Sequence, residues 1–271
     1  MAILSLVSMT FLGSCQSNPD VQCRRIQQAQ RDIDPATYKT VVKSETIPLT
    51  PAPGYDGPQM FIMMAVQNVP TRGKLGALVR NTVFGGIDPE VYAEKVIADY
   101  RVRYQEAGNL AVTEGRALSE SWNWEYSETI EGAEITPERA VLGITQWVVV
   151  SRLREYYLGG AHGMREKQYF LFDTVNVKKL SPDDLFREDA RMTVRRILAA
   201  RLREFAGIAA DAALSQGGFF TDLPDVPENF FLTAGGVGFH WDPAEIAPYV
   251  MGPIEVVVSY DELMSTLRPE G

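Results

Sequence analysis

From Trp122 to Tyr157 the chain spells two long strands joined by a short connection, and this pair constrains everything around it. Trp122, Trp124, Tyr126 and Ile130 alternate with Asn123, Glu125, Ser127 and Thr129. That period of two places the aromatic residues on one face of a sheet, where such side chains pack under a helix or stack on a sugar ring. A turn is expected around Glu131-Gly132 and Thr136-Pro137. Ala140 to Tyr157 then reads as one long or bent strand, apolar on both faces for most of its length. Long neighbouring strands with little chain between them pair antiparallel.

The second strand runs into Tyr156-Tyr157-Leu158-Gly159-Gly160-Ala161-His162-Gly163-Met164, a glycine-rich turn that holds one of the two histidines. A titratable ring on a tight turn is either a ligand-binding or catalytic group, or a device that satisfies backbone groups through its two nitrogens. The residues alone leave these readings open. A zinc site needs three or four suitable ligands, and His162 and His240 stand far apart with no helical His-x-x-x-His, so no metal site is expected. The Gly-x-Ser-x-Gly elbow of serine hydrolases is absent. Gly235-Gly236-Val237-Gly238 lacks the strand–loop–helix setting of a phosphate cradle. No catalytic residue and no cofactor is assigned.

Around the strand pair the pattern is α+β, mostly antiparallel sheets with packed helices in two closely associated sub-domains. The first is expected over 38–163. It has strands over Thr40–Leu49 and Met60–Val66, then a helix with Asp88 as N-cap, Pro89 at the first position and a stop at Gly108-Asn109. Tyr92, Val96, Ile97, Tyr100 and Tyr104 form the inward stripe of that helix. The second sub-domain is expected over 164–271. It has short strands at Tyr169–Phe172 and Asn176–Lys178 and a capped helix start at Ser181-Pro182-Asp183-Asp184. Its longest helix is expected from Ala190 to about Leu214, with the stripe Val194, Ile197, Leu198, Leu202, Phe205, Ile208, Ala209 and Ala212 inward and Arg191, Arg195, Arg196, Arg203 and Glu204 solvated. A hairpin follows, Asn229–Leu232 with Val237–Trp241, its glycines supplying positive φ. The last elements are a capped turn at Asp242-Pro243-Ala244-Glu245, a strand at Ile254–Ser259 and a short helix from Ser259.

Met1 to Ser14 contains no charged residue and is too short to span a bilayer as a helix, so residues 1–14 read as a secretory signal. They end Leu12-Gly13-Ser14-Cys15, which resembles a bacterial lipobox. That resemblance implies that Cys15 is the acylated first residue of an exported chain, lipid-anchored to a bacterial membrane, with residues 15–37 as the tether. Cys23 is then left without an intramolecular disulfide partner. A net charge of −9 excludes the basic footprint of nucleic-acid binding and any adhesion to anionic lipid beyond the anchor, and it permits a basic partner.

Three ordered motifs carry a second resemblance. Tyr157-Leu158-Gly159-Gly160-Ala161-His162-Gly163, the helix entry Leu180-Ser181-Pro182-Asp183-Asp184-Leu185-Phe186 and the closing Phe239-His240-Trp241-Asp242-Pro243-Ala244-Glu245-Ile246-Ala247-Pro248-Tyr249-Val250-Met251-Gly252 are similar to signatures of a bacterial envelope domain family. That family occurs in the ectodomain of the RsiV anti-sigma factor and beside the catalytic domain of the PdaC deacetylase. The resemblance spans roughly Tyr38 to Leu267. It departs at Asn176-Val177-Lys178-Lys179, where the family has a Gly-Lys turn, and at Asp242-Pro243, where it has an aromatic run. It implies a non-catalytic binding or sensing module for an envelope protein, lysozyme-like proteins first, or for a peptidoglycan-type glycan. The candidate ligand-binding residues are Tyr157, Gly160, His162 and Tyr249. The alternatives are a cell-wall hydrolase using His162 with carboxylates, and a scaffold lipoprotein.

Overall fold

The structure is a computed structural model that describes residues 38–49, 57–116, 118, 122–137, 141–143 and 146–268. The expected export segment, Cys15, Cys23 and the tether lie outside the described residues. Among those described, no helix is long and apolar enough to cross a membrane.

A six-stranded sheet is laid out in chain order: β1 (Tyr38–Pro48), β2 (Gln59–Pro70), β3 (Trp124–Ile135), β4 (Trp147–Tyr157), β5 (Met164–Asp173) and the two-residue β6 (Lys178–Lys179). All neighbours pair antiparallel except β2 and β3, which run parallel. The exception follows from the intervening helices α1 (Gly73–Val83) and α2 (Pro89–Thr113), the kind of crossover that a parallel pair requires. A second sheet has three antiparallel strands: β7 (Phe230–Leu232), β8 (Gly236–Trp241) and β9 (Ile254–Ser259). Three further helices, α3 (Pro182–Leu185), α4 (Arg191–Ala206) and α5 (Tyr260–Leu263), accompany it. The α+β architecture with mostly antiparallel sheets is the expected one.

The strand β4 explains why its sequence is apolar on both faces. Val148 and Val150 point into a core with Met60, Ile62, Met64, Phe170, Phe172 and the inner faces of α1 and α2. Trp147 and Val149 point the other way, into a core built from Leu171, α4 and the three-stranded sheet. The two cores thus share one sheet as their wall. The expected boundary at 163/164 falls at the turn between β4 and β5, which pair along their full lengths.

Several element ends differ from expectation. The helix α2 continues past Gly108-Asn109 to Thr113, because Gly108 is a contact rather than a stop: a Cβ there would lie 2.2 Å from the Leu49 side chain. The helix α4 ends at Ala206, not near Leu214, because Gly207 takes a left-handed φ of +65° and closes it. Phe205, in the last turn of the helix, is exposed rather than part of the inward stripe, while Val194, Leu198 and Leu202 are fully buried. Two of the arginines expected to be solvated fasten loops instead: Arg195 donates to the carbonyls of Leu223 and Pro224, and Arg203 to that of Ala212. Residues 174–177 form a turn, not a strand. The Asp242–Glu245 stretch is a tight turn with Ala244 at φ +70°. In the β7–β8 hairpin the Thr233 hydroxyl bridges the turn through Gly236. Gly235 and Gly236 are not in the positive-φ region there. Gly236 is required because a Cβ would sit 2.2 Å from the Val258 carbonyl oxygen.

Candidate functional site

The four residues singled out from sequence gather at the β4–β5 turn. Gly159 and Gly160 adopt φ of +80° and +116°, backbone that residues with a Cβ resist, and so turn the chain sharply out of β4. The Tyr157 hydroxyl donates to the Gly160 carbonyl at 3.1 Å. Tyr249, on a single 3-10 turn (Tyr249–Met251) far along the chain, donates its hydroxyl to the Gly163 carbonyl and stacks on the His162 ring with centroids 4.2 Å apart. His162 is exposed, and its Nδ1 lies 3.0 Å from the Gly163 carbonyl. The described hydrogen bond of this imidazole is therefore to a carbonyl, and its ring partner is a phenol.

Beside the turn lies an open trough of about 380 Å³. Its walls are Trp122 and Trp124, the last turns of α2 at Ala107, Leu110 and Ala111, Arg116, and the turn residues Leu158, Gly159 and Gly160. Trp124 also packs on Tyr104 of α2, with centroids 5.1 Å apart. Trp124 thus packs under the helix, as expected of a sheet-face aromatic, and both tryptophans line the trough. Where a Cβ would stand at Gly160 there is nothing within 4 Å, so the turn leaves that end of the trough open.

Along the same seam between α2 and the sheet lies a cluster that the sequence reading passed over. Glu128 occupies an inward position of β3 and is fully buried. Its carboxylate accepts hydrogen bonds from Tyr92 (3.0 Å) and Tyr126 (2.6 Å) and pairs with Arg152 Nε (2.9 Å) and Arg154 Nε (3.6 Å). A charge taken out of water requires this density of partners. Burial pulls the Arg154 guanidinium down, but Glu128, Tyr126 and Tyr92 together more than offset that, and its pKa is raised overall. Burial, followed by the neighbouring Glu128 charge, pushes the phenols of Tyr92 and Tyr126 up. Tyr156 donates to Glu166 at 2.7 Å and is raised to about 12, chiefly by that hydrogen bond. The visible signal was an acid standing on the apolar face of an alternating strand, opposite Arg154 and diagonal to Arg152 on the inward face of β4.

A second missed cluster fastens the two sheets. β6 pairs only with Phe172 and Asp173, so most of the outer edge of β5 has no partner strand. Side chains replace one: Asn229 accepts from the Tyr169 N–H and donates to the Lys167 carbonyl, and Asp242 accepts from the Lys167 N–H. The same Asp242 oxygen lies 2.9 Å from His240 Nε2, while His240 Nδ1 lies 2.9 Å from Glu255. Burial lowers the His240 pKa and the two carboxylate contacts raise it further, for a net rise. Glu255 is held down to about 2, first by His240, and it also accepts from Tyr169. Among the described residues no group of three or more His, Cys, Asp or Glu is arranged to hold a metal ion.

Comparison with known proteins places this architecture. Residues 183–261 match the model of a family described as protein of unknown function (DUF3298). Over 149 residues, 54% of this chain, the sequence is 26% identical to the peptidoglycan-N-acetylmuramic acid deacetylase PdaC of Bacillus subtilis (strain 168). The match covers 32% of PdaC, so the chain spans about a third of that relative. A solved DUF3298-family structure from Bacteroides fragilis is similar with a TM-score of 0.66 at 22% identity, over 86% of this chain and 93% of that one. One from Pseudomonas aeruginosa is similar with a TM-score of 0.54 at 18% identity, over 86% and 94%. The motif beginning at Leu180 and the one beginning at Phe239 fall largely within the matched segment, so residues 183–261 are similar to the DUF3298 family, whose function is unknown, and the solved structures share the fold.

Proposed function

We propose that the chain is an exported, lipid-anchored module of the bacterial envelope that binds cell-wall glycan without transforming it. The observation that carries this reading is the trough of about 380 Å³ in which Trp122 and Trp124 face the glycine turn at Gly159-Gly160. Aromatic rings present an apolar face and a defined shape to the CH face of a sugar. An open groove suits a segment inside a polymer better than a closed pocket would. The relative PdaC is named for acting on peptidoglycan, which makes peptidoglycan fragments the first ligand to try.

Titration of tryptophan fluorescence with soluble peptidoglycan fragments tests the reading. Saturable quenching is expected, and Trp122→Ala should weaken binding by about tenfold, ~1.4 kcal/mol. A native chain that shows no saturable change overturns it. A second ligand class is favoured by the net charge of −9, which would attract a strongly basic envelope protein such as a lysozyme. That attraction should fall steeply between low and physiological salt, whereas glycan stacking should not. For the anchor, Cys15→Ala should move the chain from the membrane to the soluble fraction; unchanged fractionation rejects it.

A further inference from the structure

The seam that ends in the tryptophan trough holds, one helical stretch earlier, a hollow of about 330 Å³. Its walls come from α2 (Tyr92, Val96, Asp99, Tyr100, Arg103) and from the sheet (Tyr126, Glu128, Arg154, Tyr156, Glu166). Arg154 and Glu166 stand directly opposite each other on β4 and β5. Opposite charges at such positions ordinarily pair. Here they do not close on one another. Glu166 accepts from Tyr156, and the ion pair of Arg154 among the described residues is with Glu128, through Nε.

We propose that this hollow binds a compact zwitterion, an amino acid or a short peptide, with the ligand carboxylate on Arg154 and its ammonium on Glu166. The charges set the class of ligand. Arg152, at 2.9 Å, is the nearer of the two arginines on the buried Glu128, with Arg154 Nε at 3.6 Å. Arg154 and Glu166 both line the hollow, with Arg103 and Asp99 repeating the two signs on the helix side. A simple anion would leave Glu166 with no cationic partner, and a simple cation would leave Arg154 with Glu128 as its acid partner through Nε alone. An amphoteric ligand matches both and restores the missing cross-strand bridge through itself. The size agrees, since about 330 Å³ is at the small end of sites that enclose ligands. The tyrosine rings and Val96 offer apolar walls to a small side chain. The phenols of Tyr126 and Tyr156 are already committed to Glu128 and Glu166, so the charged ends of the ligand fall to Arg154 and Glu166.

The test is a titration of the full chain with alanylalanine, with its C-terminal amide and with its N-acetyl form, followed by NMR shifts. The free dipeptide should saturate, and each blocked form should bind about tenfold or more weakly. Arg154→Gln should abolish the penalty for amidation and Glu166→Gln the penalty for acetylation. Because Arg154 also touches the buried Glu128, Arg103→Gln on the exposed rim supplies an independent variant. It should weaken the free dipeptide more than the amide. Trp122→Ala should leave all three affinities unchanged. Equal binding of the three forms to the native chain, no saturation with any of them, or discrimination that survives in Arg154→Gln, Glu166→Gln and Arg103→Gln alike overturns the proposal.

Discussion

Glu128 shows how one residue can organise a face of the molecule. Its carboxylate holds two arginines and two phenols beneath α2. Replacing it with alanine strands Arg152 and Arg154 in a poorly solvated site, and the expected loss is about 3–5 kcal/mol in denaturant unfolding. Glu128→Gln keeps an acceptor for the phenols and should cost less. His240 and Glu255 make the matching statement about pH. Glu255 has its folded pKa depressed, so its contribution is present above the unfolded value near 4.5 and is lost as pH falls toward about 2. His240 has its folded pKa raised, so its contribution is complete below 6.5 and is lost as pH climbs through the folded value. The pair is therefore tightest between about pH 4.5 and 6.5. Thermal melts should show stability declining above that window, and His240→Gln should flatten the alkaline decline. Of these residues, Glu128 was legible in sequence as a break in an apolar face. The partners of His240 were not, because Glu255 and Tyr169 reach it only through strand pairing and sheet packing.

Strands and helix starts were well marked, and helix ends were not. The Asp88-Pro89 entry behaves as read, the Asp88 side chain accepting from the Glu90 N–H, and Asp184 closes the Ser181 cap. Starts depend on local side-chain chemistry, which a sequence displays. Glycines are ambiguous because the same residue serves a left-handed turn or a close contact. Gly207 does the first and ends α4; Gly108 and Gly236 do the second and end nothing. Gly236→Ala should therefore destabilise the chain by about 1–3 kcal/mol through its clash with the β9 backbone. Gly207→Ala should cost about 1 kcal/mol through backbone strain alone. Chemical denaturation of the two variants separates the mechanisms if Gly236→Ala is the more damaging. Helix α1 was missed altogether; its N-cap Arg72 makes no capping hydrogen bond, and it shows no acid in its first turn.

For the molecule as a whole, the two cores share one wall, and the two sheets are fastened along the outer edge of β5. Asn229 and Asp242 serve as the absent strand there, so Asn229→Ala should speed hydrogen exchange at the Tyr169 amide while leaving the centre of β4 protected. Equal protection in both chains would show that packing, not these bonds, holds the edge. The sequence by itself determined the class of the fold, the antiparallel strand pair, the turn at Gly159-Gly160 and the family motifs, because each is written in local periodicity and turn chemistry. Only the tertiary structure decided that β2 and β3 run parallel, that Tyr249 closes on His162, and that Glu128, Arg154 and Glu166 share one seam with Trp122 and Trp124. These are meetings between residues far apart in the chain, and chain order records neither the register nor the packing that brings them together.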